Sequence, residues 1–395
     1  MIESSIREII AWPAVQQPML VVVVDTEAEF DWVSSSSRRG AGVTAVKALR
    51  QVQAIFERYN VRPTFVVDYP ISTIPEGYEI IRDFYQSGFC EVGAHLHPWD
   101  TPPFVEEITN RNSYPGNLAP EVEREKLVRL TAAIVQNIGV QPRIYKAGRY
   151  GMGLATPQIL VELGYEIDAS VLPGTDLRRE LGPNFSKCPA HSCWFDTNPT
   201  LLEVPMSVGY TGLLAGFPEI AWTLTKHPFL KGLHLPGVLA RLRLLDRVVL
   251  TPEGITFEEQ RRLTRAMLRR GYRVFSFTFH SPSLAPGNTP YVHDSAQLQS
   301  FLRRIEQYLE FFMTEIGGRP ATPFEIRERA LRLAAASSPS HNGLTGARDL
   351  LHWPVKSVLP PEGRRTVRVV RGDRGPTAQP GRFAKHARPF VEGGF

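Results

Sequence analysis

Met19-Leu20-Val21-Val22-Val23-Val24-Asp25-Thr26-Glu27-Ala28-Glu29-Phe30-Asp31-Trp32 starts as a run of apolar, mostly β-branched residues and ends in four carboxylates. Such a run reads as a strand covered on both faces, the environment of a parallel sheet. An ionised acid held away from water is unfavourable unless it is paired or coordinated. The C-terminal ends of strands are where parallel α/β folds place their chemistry. Asp25 and Glu27 are two residues apart, so on an extended chain they share a side.

Outward from this strand, segments of period 3.6 alternate with short apolar runs. Helices are expected over 43–59, 76–86, 121–138, 156–163, 257–270 and 296–316. Strands are expected near 62–68, 90–97, 143–147, 165–171, 201–206 and 273–280. This alternation predicts βαβ units and an α/β fold built as a closed or nearly closed barrel of about seven parallel strands, with a doubly wound open sheet as the alternative. The main domain is expected over 18–320, after an N-terminal extension at 1–17. An apolar and basic insertion near 210–245 interrupts it, with Lys226, Lys231, Arg241 and Arg243 among the apolar residues. Residues 337–395 are rich in Pro, Gly, Arg and Ser and read as a disordered basic tail.

The chain has 395 residues, 43% hydrophobic and 22% charged, with a net charge of +5, a globular composition. The positive excess is mild and partly in the tail, which does not point to nucleic acid as a partner. The three cysteines, Cys90, Cys188 and Cys193, do not make a disulfide framework and read as ordinary thiols. The N-terminal residues lack the pattern of a secretory signal, and no apolar run is long enough to span a bilayer. A cytoplasmic location is expected, with the basic insertion suited to peripheral contact with a membrane surface.

Three strand ends carry polar residues of complementary type: Asp25 and Glu27, then His95 and His97, then His280. In a parallel α/β architecture these ends converge. His-x-His on an extended chain presents both imidazoles on one side, and a carboxylate completes a set suited to Zn²⁺ and also to Fe²⁺, Mn²⁺ or Co²⁺. A second carboxylate suits a general base, His280 suits a proton donor, and Lys146 or Arg149 suits holding the base in place. Trp32, Trp99 and Tyr150 are candidates for stacking on a sugar ring, or for packing.

The segments Val24-Asp25-Thr26-Glu27, His95-Leu96-His97-Pro98, Tyr145-Lys146-Ala147-Gly148-Arg149-Tyr150-Gly151, Asp168-Ala169-Ser170-Val171 and Phe279-His280-Ser281 resemble, in order and content, the five motifs of the polysaccharide deacetylase family, the NodB-homology domain of carbohydrate esterase family four. Within it, the chain also resembles the deacetylase-like WalW proteins of bacterial polysaccharide gene clusters. The resemblance covers about residues 18–315. It implies a deformed (β/α) barrel and a metal-dependent hydrolase that removes N-acetyl groups from a sugar or polysaccharide precursor. It also implies Asp25 as base, Glu27, His95 and His97 as metal ligands and His280 as acid, with Asp25 and Glu27 able to exchange roles. Lys146 stands where the family has Arg, with Arg149 as its substitute, and Asp168 is implied to line the pocket. Two motifs depart from the family pattern. Glu27 stands one residue beyond the usual ligand Asp, and the histidine pair is two residues shorter. Another C–N amide hydrolase on the same scaffold, or a catalytically silent carbohydrate- or partner-binding protein, are the competing expectations.

Overall fold

The computed structural model describes residues 6, 8–30, 42–195, 200–216, 239, 242 and 244–337. Asp31, Trp32, most of the 210–245 insertion with Lys226, Lys231, Arg241 and Arg243, and the tail beyond Ser337 lie outside them.

In chain order the strands are β1 (Glu8–Ile9), β2 (Met19–Thr26), β3 (Thr64–Val67), β4 (Glu91–Leu96), β5 (Ile144–Ala147), β6 (Ile167–Asp168), β7 (Cys193–Trp194), β8 (Leu202–Glu203), β9 (Val208–Thr211), β10 (Asp246–Val249), β11 (Val274–His280) and β12 (Arg319–Pro320). The α-helices are α1 (Leu49–Arg58), α2 (Tyr69–Thr73), α3 (Pro75–Gln86), α4 (Pro120–Asn137), α5 (Thr156–Glu162), α6 (Phe257–Arg269), α7 (Ser295–Thr314) and α8 (Pro323–Ser337).

β2 is buried along its whole length. One edge pairs in parallel with β11, from Val274↔Met19 to His280↔Asp25. The other edge takes β12 at Met19 and Leu20, then β3 from Val23 onward. The parallel order continues β3-β4-β5-β6-β8, so seven strands from β11 to β8 run the same way, with β12 as a short addition. β7 and β1 close the far edge in antiparallel pairing.

The gap between β11 and β8 is bridged by the antiparallel β9–β10 pair rather than by direct strand pairing. Ser276 N–H donates to Ser207 Oγ and Thr278 N–H to the Leu250 carbonyl. The result is the expected α/β architecture, a mostly parallel sheet curled into a deformed barrel. The segment expected as partly helical insertion thus contributes strands at both of its ends.

Alternation along β2 divides the interior into two layers. Leu20, Val22 and Val24 join Phe65, Phe275, Phe277 and Phe279 against the helices. Met19, Val21 and Val23 face inward with Val66, Ile144, Ile167 and Leu202, where α8 contributes Ile326 and Ala330. Because side chains alternate along a strand, Asp25 continues the inward face of Met19, Val21 and Val23. The same parity turns His95, Lys146, Thr278 and His280 inward. The polar ends of four strands therefore meet at one mouth of the barrel.

Candidate active site

Asp25 and Lys146 form a buried ion pair across that mouth. Lys146 Nζ donates to both Asp25 oxygens, at 2.7 and 2.6 Å, and to Thr278 Oγ1 at 3.0 Å. Asp25 is 3% and Lys146 1% exposed, so the pair lies out of solvent. His280 Nε2 lies 3.6 Å from Asp25 Oδ2.

Glu253 holds His280 from the other side. Its Oε2 accepts from His280 Nδ1 at 2.8 Å, and its Oε1 accepts from the His280 backbone N–H at 3.1 Å and from Ser283 Oγ at 2.5 Å. Burial pulls the imidazole toward neutrality, but the Glu253 carboxylate outweighs it and holds His280 up to about 9. At neutral pH the ring is a proton donor.

Next to this pair, Glu27, His95 and His97 offer ligand atoms that all lie within 4.8 Å of one another. Glu27 Oε2 is 2.8 Å from His97 Nε2 and 3.5 Å from His95 Nε2. The Lys146 carbonyl, 2.9 Å from His95 Nδ1, only accepts, so that nitrogen carries the ring proton and Nε2 keeps its lone pair. Burial pulls His97 down to about 4, which leaves its ring neutral. Burial would raise Glu27, yet its hydrogen bonds to the two histidines and the nearby His280 charge hold it well below the usual carboxylate range. Glu27 Oε1 is buried without a hydrogen-bond partner. A carboxylate, two imidazoles and a buried acceptor left over are the donor set of a divalent transition-metal site with open positions.

The backbone explains this convergence. Asp68 accepts the Ala28 N–H at 2.6 Å and the Ile71 N–H at 2.8 Å, which pins the turn after Glu27 to the start of α2. Gly148 passes so close to the second histidine that a Cβ there would collide with His97 Nδ1 and lie 2.6 Å from the Leu96 carbonyl oxygen. Trp99 packs over His97, with ring centroids 4.2 Å apart, and Phe30 meets both rings at 5.8 Å. Tyr150 is buried beneath Lys146, its ring centre 5.4 Å from Nζ.

Two candidates are placed elsewhere. Arg149 does not reach Asp25. It has φ 55°, in the left-handed region, and its side chain turns away from the strand line. Its guanidinium donates to Asn110 and Ser113 and stacks 4.4 Å from the centre of the Tyr114 ring. Lys146 occupies the place beside the acid.

Asp168 does not line the mouth either. Ile167 faces inward, so its neighbour faces the helix layer. There Asp168 stands beside Glu203, its partner across the ladder, and accepts from Ser170 Oγ at 2.5 Å. Glu253, Thr278 and Asp68 belong to the site although no sequence motif marks them. The one available signal is the inward parity of Thr278, two residues before His280.

Neither a family model nor a curated protein matches the chain. Solved structures do. A protein classed as a polysaccharide deacetylase from Mycobacterium smegmatis aligns over 87% of this chain and 98% of its own, at 19% identity and a TM-score of 0.49. A family 4 carbohydrate esterase from Streptomyces lividans, solved with acetate, aligns over 78% and 94% at 10% identity and a TM-score of 0.35. A family 4 pseudoenzyme from Bacillus anthracis aligns over 79% and 66% at 8% identity and a TM-score of 0.38. At these identities and TM-scores the reading of the site rests on its own residues. By their own descriptions, the solved structures to which this chain is similar are polysaccharide deacetylases and family 4 carbohydrate esterases, the family its five motifs resemble.

Proposed function

We propose that the protein is a metal-dependent hydrolase that removes N-acetyl groups from a sugar or polysaccharide precursor. The observation that carries this reading is the meeting of a Glu27–His95–His97 donor set with a separate Asp25–His280 pair on one face of the barrel mouth.

Glu27, His95 and His97 would hold the ion, for which Zn²⁺ fits the nitrogen and oxygen donors. When bound, it would polarise the amide carbonyl and lower the pKa of water beside it. Asp25 takes a proton from the attacking water, and Lys146 and Thr278 keep its carboxylate aimed inward. Attack forms the new C–O bond of a tetrahedral intermediate. His280 then gives its Nε2 proton to the amine nitrogen as the C–N bond breaks, releasing acetate and a free amino sugar. Glu253 stabilises the imidazolium before that transfer and reorients it afterwards. Trp99, packed on His97, and Tyr150, beside Lys146, are the residues we assign to border a sugar ring. Among the described residues, no helix is long and apolar enough to cross a membrane.

The test is elemental analysis of the purified protein and of the His95→Ala, His97→Ala double variant, followed by acetate release from N-acetylated sugars. The wild type is expected to hold about one equivalent of transition metal and the variant none. Asp25→Asn is expected to keep the metal and lose about 10²–10⁴-fold in rate. A wild type that takes up no metal after incubation with Zn²⁺ or Fe²⁺ overturns the reading.

A further inference from the structure

On the outer side of the barrel, away from the mouth, α6 and the β9–β10 pair enclose a cavity of about 600 Å³. That is the size of a small-molecule site. Among the described residues, four arginines line it, Arg262, Arg265, Arg269 and Arg270, together with one acid, Asp246. We propose that this cavity is an anion site that takes a phosphate or pyrophosphate group, separate from the hydrolytic centre.

The arginines differ in how they are engaged. Arg265 pairs with Glu315 at 2.7 Å, and Arg270 donates to the Ala215 carbonyl. Among the described residues, Arg262 and Arg269 form no ion pair or hydrogen bond, and Arg262 Nε is buried without a partner. They are seven positions apart on one side of α6, about two turns and 10 Å. Long side chains from both ends of that span reach a common group inside a cavity of this size.

Cations near the end of a helix are favoured by the macrodipole, which accounts for Arg269 and Arg270. It does not account for Arg262, in the second turn, beyond the reach of that effect. Like charges spaced along one side of a helix also repel, at a cost of a few tenths of a kcal/mol per pair. A bound anion removes that repulsion. The stretch Phe257–Arg270 holds five arginines and no lysine. The guanidinium fork matches phosphate oxygens in pairs, which an ammonium does not. Among the described residues the four arginines outnumber Asp246 and the Glu315 paired with Arg265 by two, which suits a multiply charged group over a simple carboxylate.

The experiment titrates inorganic phosphate and pyrophosphate into the full chain by calorimetry at fixed ionic strength. In parallel, the protein is sedimented with vesicles of phosphatidylcholine alone and with added phosphatidylglycerol. Each measurement is repeated on Arg262→Gln, Arg269→Gln, with metal content and acetate release as checks that the barrel is intact. Saturable pyrophosphate binding, weakened at least about tenfold in the variant, supports the site with a soluble phosphate ligand. Binding only to the anionic vesicles, lost in the variant, supports it with a lipid headgroup as the source. The single change Arg269→Glu, at an exposed position that leaves the core untouched, must weaken whichever binding is seen. No binding to either probe, or binding indifferent to these arginines, overturns the proposal.

Discussion

Two buried pairs of carboxyl groups lie at the same rim of one sheet, on opposite faces, and they are handled in opposite ways. Inside the barrel, Asp25 and Glu27 are surrounded by Lys146, His95, His97 and His280. Outside it, Asp168 and Glu203 are paired with each other, and among the described residues no lysine or arginine joins them. Hydrogen bonds from His95 and His97, with the His280 charge nearby, hold Glu27 below the usual range. Burial, with Asp168 beside it, pushes Glu203 well above that range, and burial raises Asp168 too. Desolvation disfavours all four charges, so the neighbours decide the outcome. The inner pair is poised for chemistry and the outer pair stores a proton.

The largest break in this comparison removes the cation from the inner pair. Lys146→Met leaves Asp25 buried with His280, at 3.6 Å, as its remaining ion-pair partner among the described residues. Removing one partner of a buried pair costs about 3–5 kcal/mol because the other charge stays behind. A loss of about 3 kcal/mol in denaturant unfolding is expected, at the low end because the imidazolium remains. Unchanged stability would mean that Asp25 is not held as a buried carboxylate.

A smaller effect follows from neutralising Glu253, which supplies the inner face with its proton donor. In Glu253→Gln, the largest of the carboxylates opposing burial is gone and only the weaker pull of Glu27 and Asp25 remains, so the His280 pKa drops from about 9 toward the ordinary imidazole value. The acid form is required for proton delivery. The alkaline limb of the rate profile therefore moves down with it, and at pH 8 the rate falls about 30-fold. The measurement is acetate release against pH for both proteins, and the shift of the limb separates this role from simple misfolding. An unmoved limb would detach Glu253 from the acid.

The sequence shows the inner face better than the outer one, for reasons of geometry. The β-branched run 19–24 can only be a covered strand, and residue parity then puts Asp25 with Glu27 and His95 with His97. Asp168 is different. β6 has only two ladder residues, so nothing in its pattern reveals that Ile167 takes the inner face, and a one-residue shift reverses every side chain. Arg149 and Lys146 are both basic and close in sequence. A left-handed backbone at Arg149, which composition does not reveal, separates them. Glu253 stands in a turn after β10, 27 residues from the histidine it holds, and no periodicity links the two. Helix α2 is short and begins at Tyr69-Pro70, where proline looks like a stop. Asp68 instead caps it, with Pro in the first turn.

The mildest test is on the outer pair and concerns pH. With the folded pKa of Glu203 raised above its unfolded value, the folded state keeps a proton that the unfolded chain releases. The stabilisation is complete below the unfolded pKa, near 4.3 for Glu. It is then lost as pH rises through the folded pKa. Glu203→Gln keeps an oxygen for the Val171 N–H, which the native Oε1 accepts at 3.1 Å, and offers an N–H to Asp168 at every pH. The variant no longer titrates at this position, so its stability between pH 5 and 8 should vary less than that of the wild type, by about 1–2 kcal/mol. At pH 8 it should be as stable as the wild type or more so, because no second carboxylate has to ionise beside Asp168. Removing the charged partner thus destabilises the inner face, whereas replacing the protonated one leaves the outer face unharmed. Urea melts across that pH range read both quantities, and a variant that keeps the full wild-type slope would show that the stored proton resides elsewhere.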